Sequence, residues 1–479
     1  MWEKGVVEFM LYVTLATSLI APITSPSGRS DNKAPPVLAA IGVGTFAVAS
    51  GVLLYAASLG RPLSFFDGLV VQDSFTSLML LGSSVAAIVF LISVGDDGLR
   101  WSSSPSLYSL VPMSLFGAFF LAGAANFLVI LASWLLVSVI SYVVMAMPDA
   151  REAKAAAVRY IYVGIVATLA LVASLAFMSL ASGVYSFSLS SLYVTSEGAR
   201  GLLAVAVLLL MAALGFKVGI FPFHWWLPSV YGRGDGRAVS FVAAVVKLAF
   251  LAVIARVVVS LAAGGQVYED IAITLAAISV ATMTYGNVAA LTSRDLQVIL
   301  AYSSMAQVGY IFAAMAAAAY FAGVGNEYML RISMFSVALQ SIAYAIAKAP
   351  LFSFTGSVGK SLESLRGLMK SSPATSVAAS ILLYSLLGVP PLLGFWGKLY
   401  MFLAAVGFTV WLALAALINS GISSVYYIIA SRELLRKDYD ATPKPRARLI
   451  TALVVASLLI IVLGIVAPLM LRGIVSIYL

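Results

Sequence analysis

Runs of about twenty apolar residues, separated by short polar breaks, recur along the whole chain. At about 1.5 Å per helical residue, such a run crosses the hydrocarbon core of a bilayer. A backbone in lipid has no water to bond, so it folds as helices or as a closed barrel. The alternating ten-residue pattern of a transmembrane barrel is absent. The chain is 62% hydrophobic and 10% charged, far from the balance of a water-soluble fold. These features predict an all-α polytopic membrane protein.

Hydropathy and loop signals predict about fourteen spans, at 5–24, 36–59, 74–95, 105–124, 126–147, 157–181, 200–226, 237–262, 268–291, 296–322, 329–357, 372–406, 409–431 and 447–471. The first apolar run, Val6–Thr24, lacks a small-residue cleavage site and reads as a transmembrane helix, not a signal peptide. The longest polar connection is Arg432–Arg448, and no soluble domain is expected. There is no cysteine, so no thiolate metal site, iron–sulfur cluster or disulfide can be built within the chain.

Charge assigns the sides. With the N-terminus on one face, that face carries six basic residues: Lys4, Arg61, Arg200, Arg256, Arg331 and Arg472. Eighteen fall on the other, among them Arg29, Arg100, Arg151, Lys360, Arg366 and Arg448. The positive-inside rule makes the richer face cytoplasmic and points both termini outward. This bias accounts for the net charge of +9 without any nucleic acid.

Four cations remain, and all lie inside predicted spans: Lys217, Lys247, Lys348 and Lys398. A lysine in hydrocarbon survives in a bundle interior or a wet cavity. The alternative is snorkelling to the interface, which suits Arg256 and Arg331 but not Lys247, flanked by long apolar stretches on both sides. Removing a lysine from water disfavours its charged form, so such a group can load and release a proton near neutral pH.

Two spans are interrupted beside these lysines. The seventh contains Phe216-Lys217-Val218-Gly219-Ile220-Phe221-Pro222; in the twelfth, Gly388-Val389-Pro390-Pro391 precedes Lys398. Proline breaks the helical ladder, and the freed carbonyls are tolerated at depth where they line a polar cavity. Simple packing kinks are the plainer reading. Broken helices at corresponding points of two halves, each beside a buried lysine, instead mark an inverted-repeat transporter. The repeats are expected to be spans 4–8 and 9–13, giving segments 1–103, 104–262, 263–431 and 432–479. His224, the only histidine, stands in Pro222-Phe223-His224-Trp225-Trp226-Leu227-Pro228. It reads equally as part of an interfacial aromatic belt or as a proton hand-off near the membrane surface.

These residues together resemble the antiporter-like membrane subunits of respiratory complex I. That family is shared with multisubunit cation/proton antiporters and membrane-bound hydrogenases. The likeness is carried by Phe216-Lys217 through Pro222-Phe223-His224, Trp226-Leu227-Pro228, Lys247, and Leu300-Ala301-Tyr302-Ser303-Ser304-Met305-Ala306-Gln307-Val308-Gly309-Tyr310. Lys348-Ala349 with Leu351-Phe352, and Gly394-Phe395-Trp396-Gly397-Lys398, extend it over most of 73–430. Val230-Tyr231 and Lys398-Leu399-Tyr400 look most like the subunit N branch. The resemblance implies a proton path along mid-membrane. Lys217 would be the relay of the first half, Lys247 the connecting lysine, Lys348 a bridge and Lys398 the terminal lysine. It also implies no cofactor in this chain, with flavin, iron–sulfur clusters and quinone in partner membrane subunits and a peripheral redox arm. The chain would then be a subunit of a translocating oxidoreductase in the inner cell membrane.

The chain departs from the family pattern at several points. The glutamate expected after a fifth-span tryptophan is Leu135, following Trp134. Histidines of some members are Tyr344 and Gln340 here, and a basic pair is Gln297-Val298. Glu8 is the only acid well within any span. A switch that opens and closes a Lys–Glu pair therefore lacks its acid in this chain. A redox-driven proton pump subunit is the leading function. A sodium/proton antiporter subunit and a degenerate scaffold that has lost transport are the alternatives.

Overall fold

The structure, a computed structural model, describes residues 2–24, 33–98, 101, 104–182, 200–263, 268–437 and 444–476. Arg29 and Arg100, counted with the richer basic face, lie outside the described residues. The helices are α1 Trp2–Ile20, α2 Ala34–Ser58, α3 Ser74–Gly98, α4 Ser104–Gly123, α5 Phe127–Ala146, α6 Arg151–Ser182, α7 Arg200–Val218, α8 Trp226–Arg233, α9 Gly236–Ser240, α10 Lys247–Ala263, α11 Tyr268–Leu291, α12 Leu296–Gly323, α13 Glu327–Val358, α14 Leu368–Ser371, α15 Pro373–Leu387, α16 Leu393–Phe408, α17 Val410–Leu435 and α18 Ala447–Ser476.

Eleven described segments are long and apolar enough to cross a membrane. Three further apolar pieces, Ala204–Val218, Pro373–Leu387 and Leu393–Phe408, are shorter because of the two breaks. α1 carries Glu3, Lys4 and Glu8 and is not among the eleven. The chain is a multi-pass helical membrane protein.

Local sequence sets the helix starts. Asn126, Asp295 and Asn326 are N-caps whose side chains accept from Leu128, Val298 and Met329 backbone N–H groups at 2.7, 3.0 and 3.1 Å. Pro373 opens α15, where its missing N–H costs nothing. α6 begins at Arg151, earlier than the expected 157, because Ala153, Lys154 and the alanines 155–157 are strong helix formers that extend the rod beyond the apolar run. α12 and α13 run through the core, their residues buried along nearly the whole length. α11 lies against α12 through two glycines. A Cβ at Gly286 would meet the Ala306 nitrogen at 2.8 Å, and one at Gly309 the Met283 nitrogen at 2.7 Å.

The loops group on two faces. On one, strands β1 Leu63–Phe65 and β2 Val70–Gln72 form an antiparallel hairpin in register Leu63↔Gln72, Phe65↔Val70, which the sequence reading missed. Gln72 Nε2 donates to the Phe119 carbonyl at 2.8 Å. Arg256 Nη1 donates to the Val71 carbonyl at 2.6 Å. Arg256 therefore pins the hairpin and does not simply snorkel. Arg331 pairs with Glu327 at 2.9 Å. On the opposite face, Lys360 reaches the Gly232 and Gly234 carbonyls at 3.2 and 3.3 Å. There Arg366 also pairs with Glu433 at 2.6 Å, and α17 extends far enough to hold that glutamate in its last turn.

Candidate functional site

Both expected breaks are present. α7 stops at Val218, one residue after Lys217, because Gly219 turns left-handed at φ +76° and Pro222 follows. The Phe216 carbonyl accepts instead from Trp226 Nε1 at 2.9 Å, and the Phe221 N–H donates to Thr282 Oγ1 at 3.1 Å. α15 stops at Leu387, where Gly388 adopts φ +95° ahead of Pro390 and Pro391. α16 then brings Lys398 back beside the broken end: its ammonium donates to the Leu387 carbonyl at 2.8 Å.

The four lysines are all buried, with 6%, 3%, 0% and 3% exposure for Lys217, Lys247, Lys348 and Lys398. Among the described residues none pairs with a carboxylate. Each is held differently. Lys217 donates to Ser138 Oγ at 2.8 Å and lies within 6 Å of four aromatic rings. Lys247 lies over the rings of Tyr231 and Tyr344 at 5.3 and 5.6 Å. It follows directly on a π-helical turn, Phe241–Val246, a local widening of the helix frequent at functional sites. Its ammonium has no hydrogen-bond partner among the described residues. Lys348 donates to the Leu300 carbonyl at 2.8 Å and to Ser303 Oγ. Lys398 adds Ser420 Oγ at 3.1 Å and the Tyr310 ring at 4.6 Å.

Polar and aromatic side chains join these positions. Tyr160, Trp226 and Tyr231 lead from Lys217 to Lys247 with ring centroids 5.4 and 5.9 Å apart. Tyr344 and Lys348 stand one turn apart on α13. Gln340 Nε2 donates to Gln307 Oε1 at 2.5 Å. Gln307 Nε2 in turn donates to the Leu386 carbonyl at 2.8 Å and the Tyr427 hydroxyl at 3.2 Å, next to the Leu387 carbonyl that holds Lys398. Asn287 Nδ2 donates to the Tyr310 hydroxyl at 3.2 Å.

Leu135 stands where the family pattern has its glutamate, and it is 42% exposed. The α5 residues that meet the Lys217 ammonium are Trp134, Ser138 and Tyr142, spaced by four along the helix. The four-residue spacing was the available sequence signal; Tyr160 and Phe250, on other helices, left none. His224 is buried against Phe221 and Tyr285, with ring centroids 5.5 and 4.2 Å away, and its contacts are not with the four lysines. Trp225 is 63% exposed and suits the aromatic belt, whereas Trp226 is buried. Gln297 ties α12 to the turn after α8, donating to the Tyr231 and Gly234 carbonyls at 2.6 and 2.8 Å.

The family described as NADH:quinone oxidoreductase/Mrp antiporter, transmembrane, matches residues 124–423. The NADH-quinone oxidoreductase subunit N 2 of Syntrophobacter fumaroxidans is 31% identical over 426 residues, 87% of this chain and 86% of the relative. A chain of respiratory complex I from Thermus thermophilus, solved with bound aureothin, superposes with a TM-score of 0.78 at 26% identity. The match covers 98% of this chain and 99% of that one. A chain of the Mrp complex from Dietzia sp. DQ12-45-1b gives 0.83 at 19% identity over 100% and 97% of the two chains, a likeness of fold.

Proposed function

We propose that this chain, which belongs to the NADH:quinone oxidoreductase/Mrp antiporter membrane family, is a proton-translocating membrane-arm subunit of a complex I-like, redox-driven pump. The observation that carries this reading is the set of four ammonium groups buried in the bundle core, none paired with a carboxylate among the described residues; three of them are held by hydroxyls and backbone carbonyls and Lys247 by tyrosine rings. A proton carried by such a lysine needs acceptors that change partner without leaving a bare charge in lipid. Ser138, Ser303 and Ser420 are suited to this, because a hydroxyl both donates and accepts.

In this reading Lys217 serves the first half, Lys247 and Lys348 connect the halves, and Lys398 ends the row. Tyr344 and Gln340 support the connection, and Pro222, Pro390 and Pro391 keep the two breaks open. His224 is a hand-off site at the margin. The chain makes fourteen crossings in segments 1–103, 104–262, 263–431 and 432–479, the middle two being inverted repeats. Both termini face outward from the inner cell membrane, an orientation supported by the basic bias between the two loop faces. Among the described residues no group of three or more His, Cys, Asp or Glu side chains could hold a metal ion. In this reading flavin, iron–sulfur clusters and quinone are carried by partner subunits and a peripheral redox arm.

The test is proton pumping by the reconstituted complex carrying Lys217→Ala or Lys398→Ala, with electron transfer measured alongside. Each variant is expected to lose most of the pumping assigned to this subunit. Pumping unchanged in both would overturn the assignment, and loss with Lys398→Ala alone would confine transport to the second half.

A further inference from the structure

Lys217 differs from its counterparts in what surrounds its charge. Among the described residues Lys348 and Lys398 each have a backbone carbonyl, a hydroxyl and one ring. Lys217 has, among the described residues, one hydroxyl, no carbonyl and four rings: Phe250 at 4.5 Å, Tyr142 at 4.9 Å, Tyr160 at 5.4 Å and Trp134 at 5.8 Å from the ammonium. These come from α5, α6 and α10, three separate helices converging on the end of α7.

The rings are arranged as two edge-to-face pairs. Trp134 and Phe250 lie 4.8 Å apart at 80°, and Tyr142 and Tyr160 lie 5.1 Å apart at 80°. Two are fixed by their own hydrogen bonds, Trp134 Nε1 to Thr168 Oγ1 at 3.2 Å and the Tyr160 hydroxyl with Ser141 Oγ at 3.1 Å. Tyr142 fits because residue 164 is glycine: a Cβ there would overlap its hydroxyl. We propose that Trp134, Tyr142, Tyr160 and Phe250 form an aromatic seat that holds the charged Lys217 ammonium in the absence of a paired carboxylate. This rests on the relay reading above and makes the four rings positioning residues of its first half.

The physical distinction is between charge and bulk. The negative face of a ring attracts an ammonium but gives little to a neutral amine, and the attraction is strongest where water is excluded. A seat of this kind holds the cation without supplying a base to take its proton, so the proton leaves only when the side chain moves toward another acceptor. Packing alone would need the ring shape and be indifferent to its electron density.

The experiment uses the reconstituted complex, with proton pumping measured per electron transferred. Phe250→Leu removes the nearest ring but also alters packing. Phe250 is therefore also replaced by phenylalanines bearing one, two and three fluorines, which keep the shape and progressively weaken the negative face. The expected result is a graded fall in pumping, on the order of tenfold at three fluorines, with assembly unchanged. Full pumping with the trifluorinated ring, alongside loss in Lys217→Ala, would overturn the seat and leave the relay intact. Full pumping in Lys217→Ala would overturn both for this half of the chain.

Discussion

The Lys398 ammonium donates to the carbonyl of Leu387, eleven residues earlier, at 2.8 Å, and so bridges the two sides of a helix break. The next residue, Gly388, makes this contact possible. Its φ is +95°, and a Cβ there would come within 3.0 Å of Lys398 Cδ. Gly388→Ala is expected to cost about 1–2 kcal/mol in backbone strain and to push Lys398 off the carbonyl. Pumping by the reconstituted complex should then fall more than the heat stability of the purified complex does. Equal effects on both would mean that the glycine serves folding alone.

Two α5 positions three residues apart give opposite expectations for a new acid. Ser138→Asp puts a carboxylate where Lys217 already donates. It should slow proton release by tying the ammonium down, with assembly retained. Leu135→Glu puts a charge on the exposed, apolar flank of the helix. There the insertion penalty is about 3 kcal/mol near mid-membrane, so the yield of assembled complex should drop. Faster pumping with Leu135→Glu would contradict the orientation of α5.

Gly286 and Gly309 let α11 and α12 approach backbone to backbone. α12 carries Ser303 and Gln307, which serve Lys348 and the route to Lys398. Gly309→Leu is expected to destabilise the protein by about 1–3 kcal/mol through overpacking and to lower pumping by separating these helices. Thermal unfolding in detergent and a pumping assay check the two parts. An unchanged unfolding temperature would show that the contact is looser than the geometry indicates.

Glu433 pairs with Arg366 at 2.6 Å and with Arg436 at 3.4 Å, clamping the 363–366 turn to α17 on the basic face. Glu433→Gln should loosen this clamp by up to about 1 kcal/mol, with less difference from the native protein at high salt, where the native pair is already screened. Hydrogen exchange across the turn before α15 reads the change. Protection that stays the same at low salt would place the turn's stability elsewhere.

The membrane class, the approximate positions of most helices, both breaks and the four interior lysines were legible in the sequence alone. Each is a one-dimensional signal. An apolar run must be helical in lipid, a glycine–proline cluster must interrupt that helix, and a lysine with long apolar flanks cannot reach water. These arguments need no knowledge of which helix lies beside which. Only the tertiary structure decided what holds each charge. Trp134 is buried beside the Lys217 ammonium while its chain neighbour Leu135 is 42% exposed, a difference set by how α5 packs and not by residue succession. Tyr160 and Phe250 reach the same ammonium from helices remote in sequence, Ser303 serves Lys348 across 45 residues, and Arg256 meets the Val71 carbonyl across 185. Such partners are set by helix packing, which places side chains by distance in space and leaves no trace in their spacing along the chain.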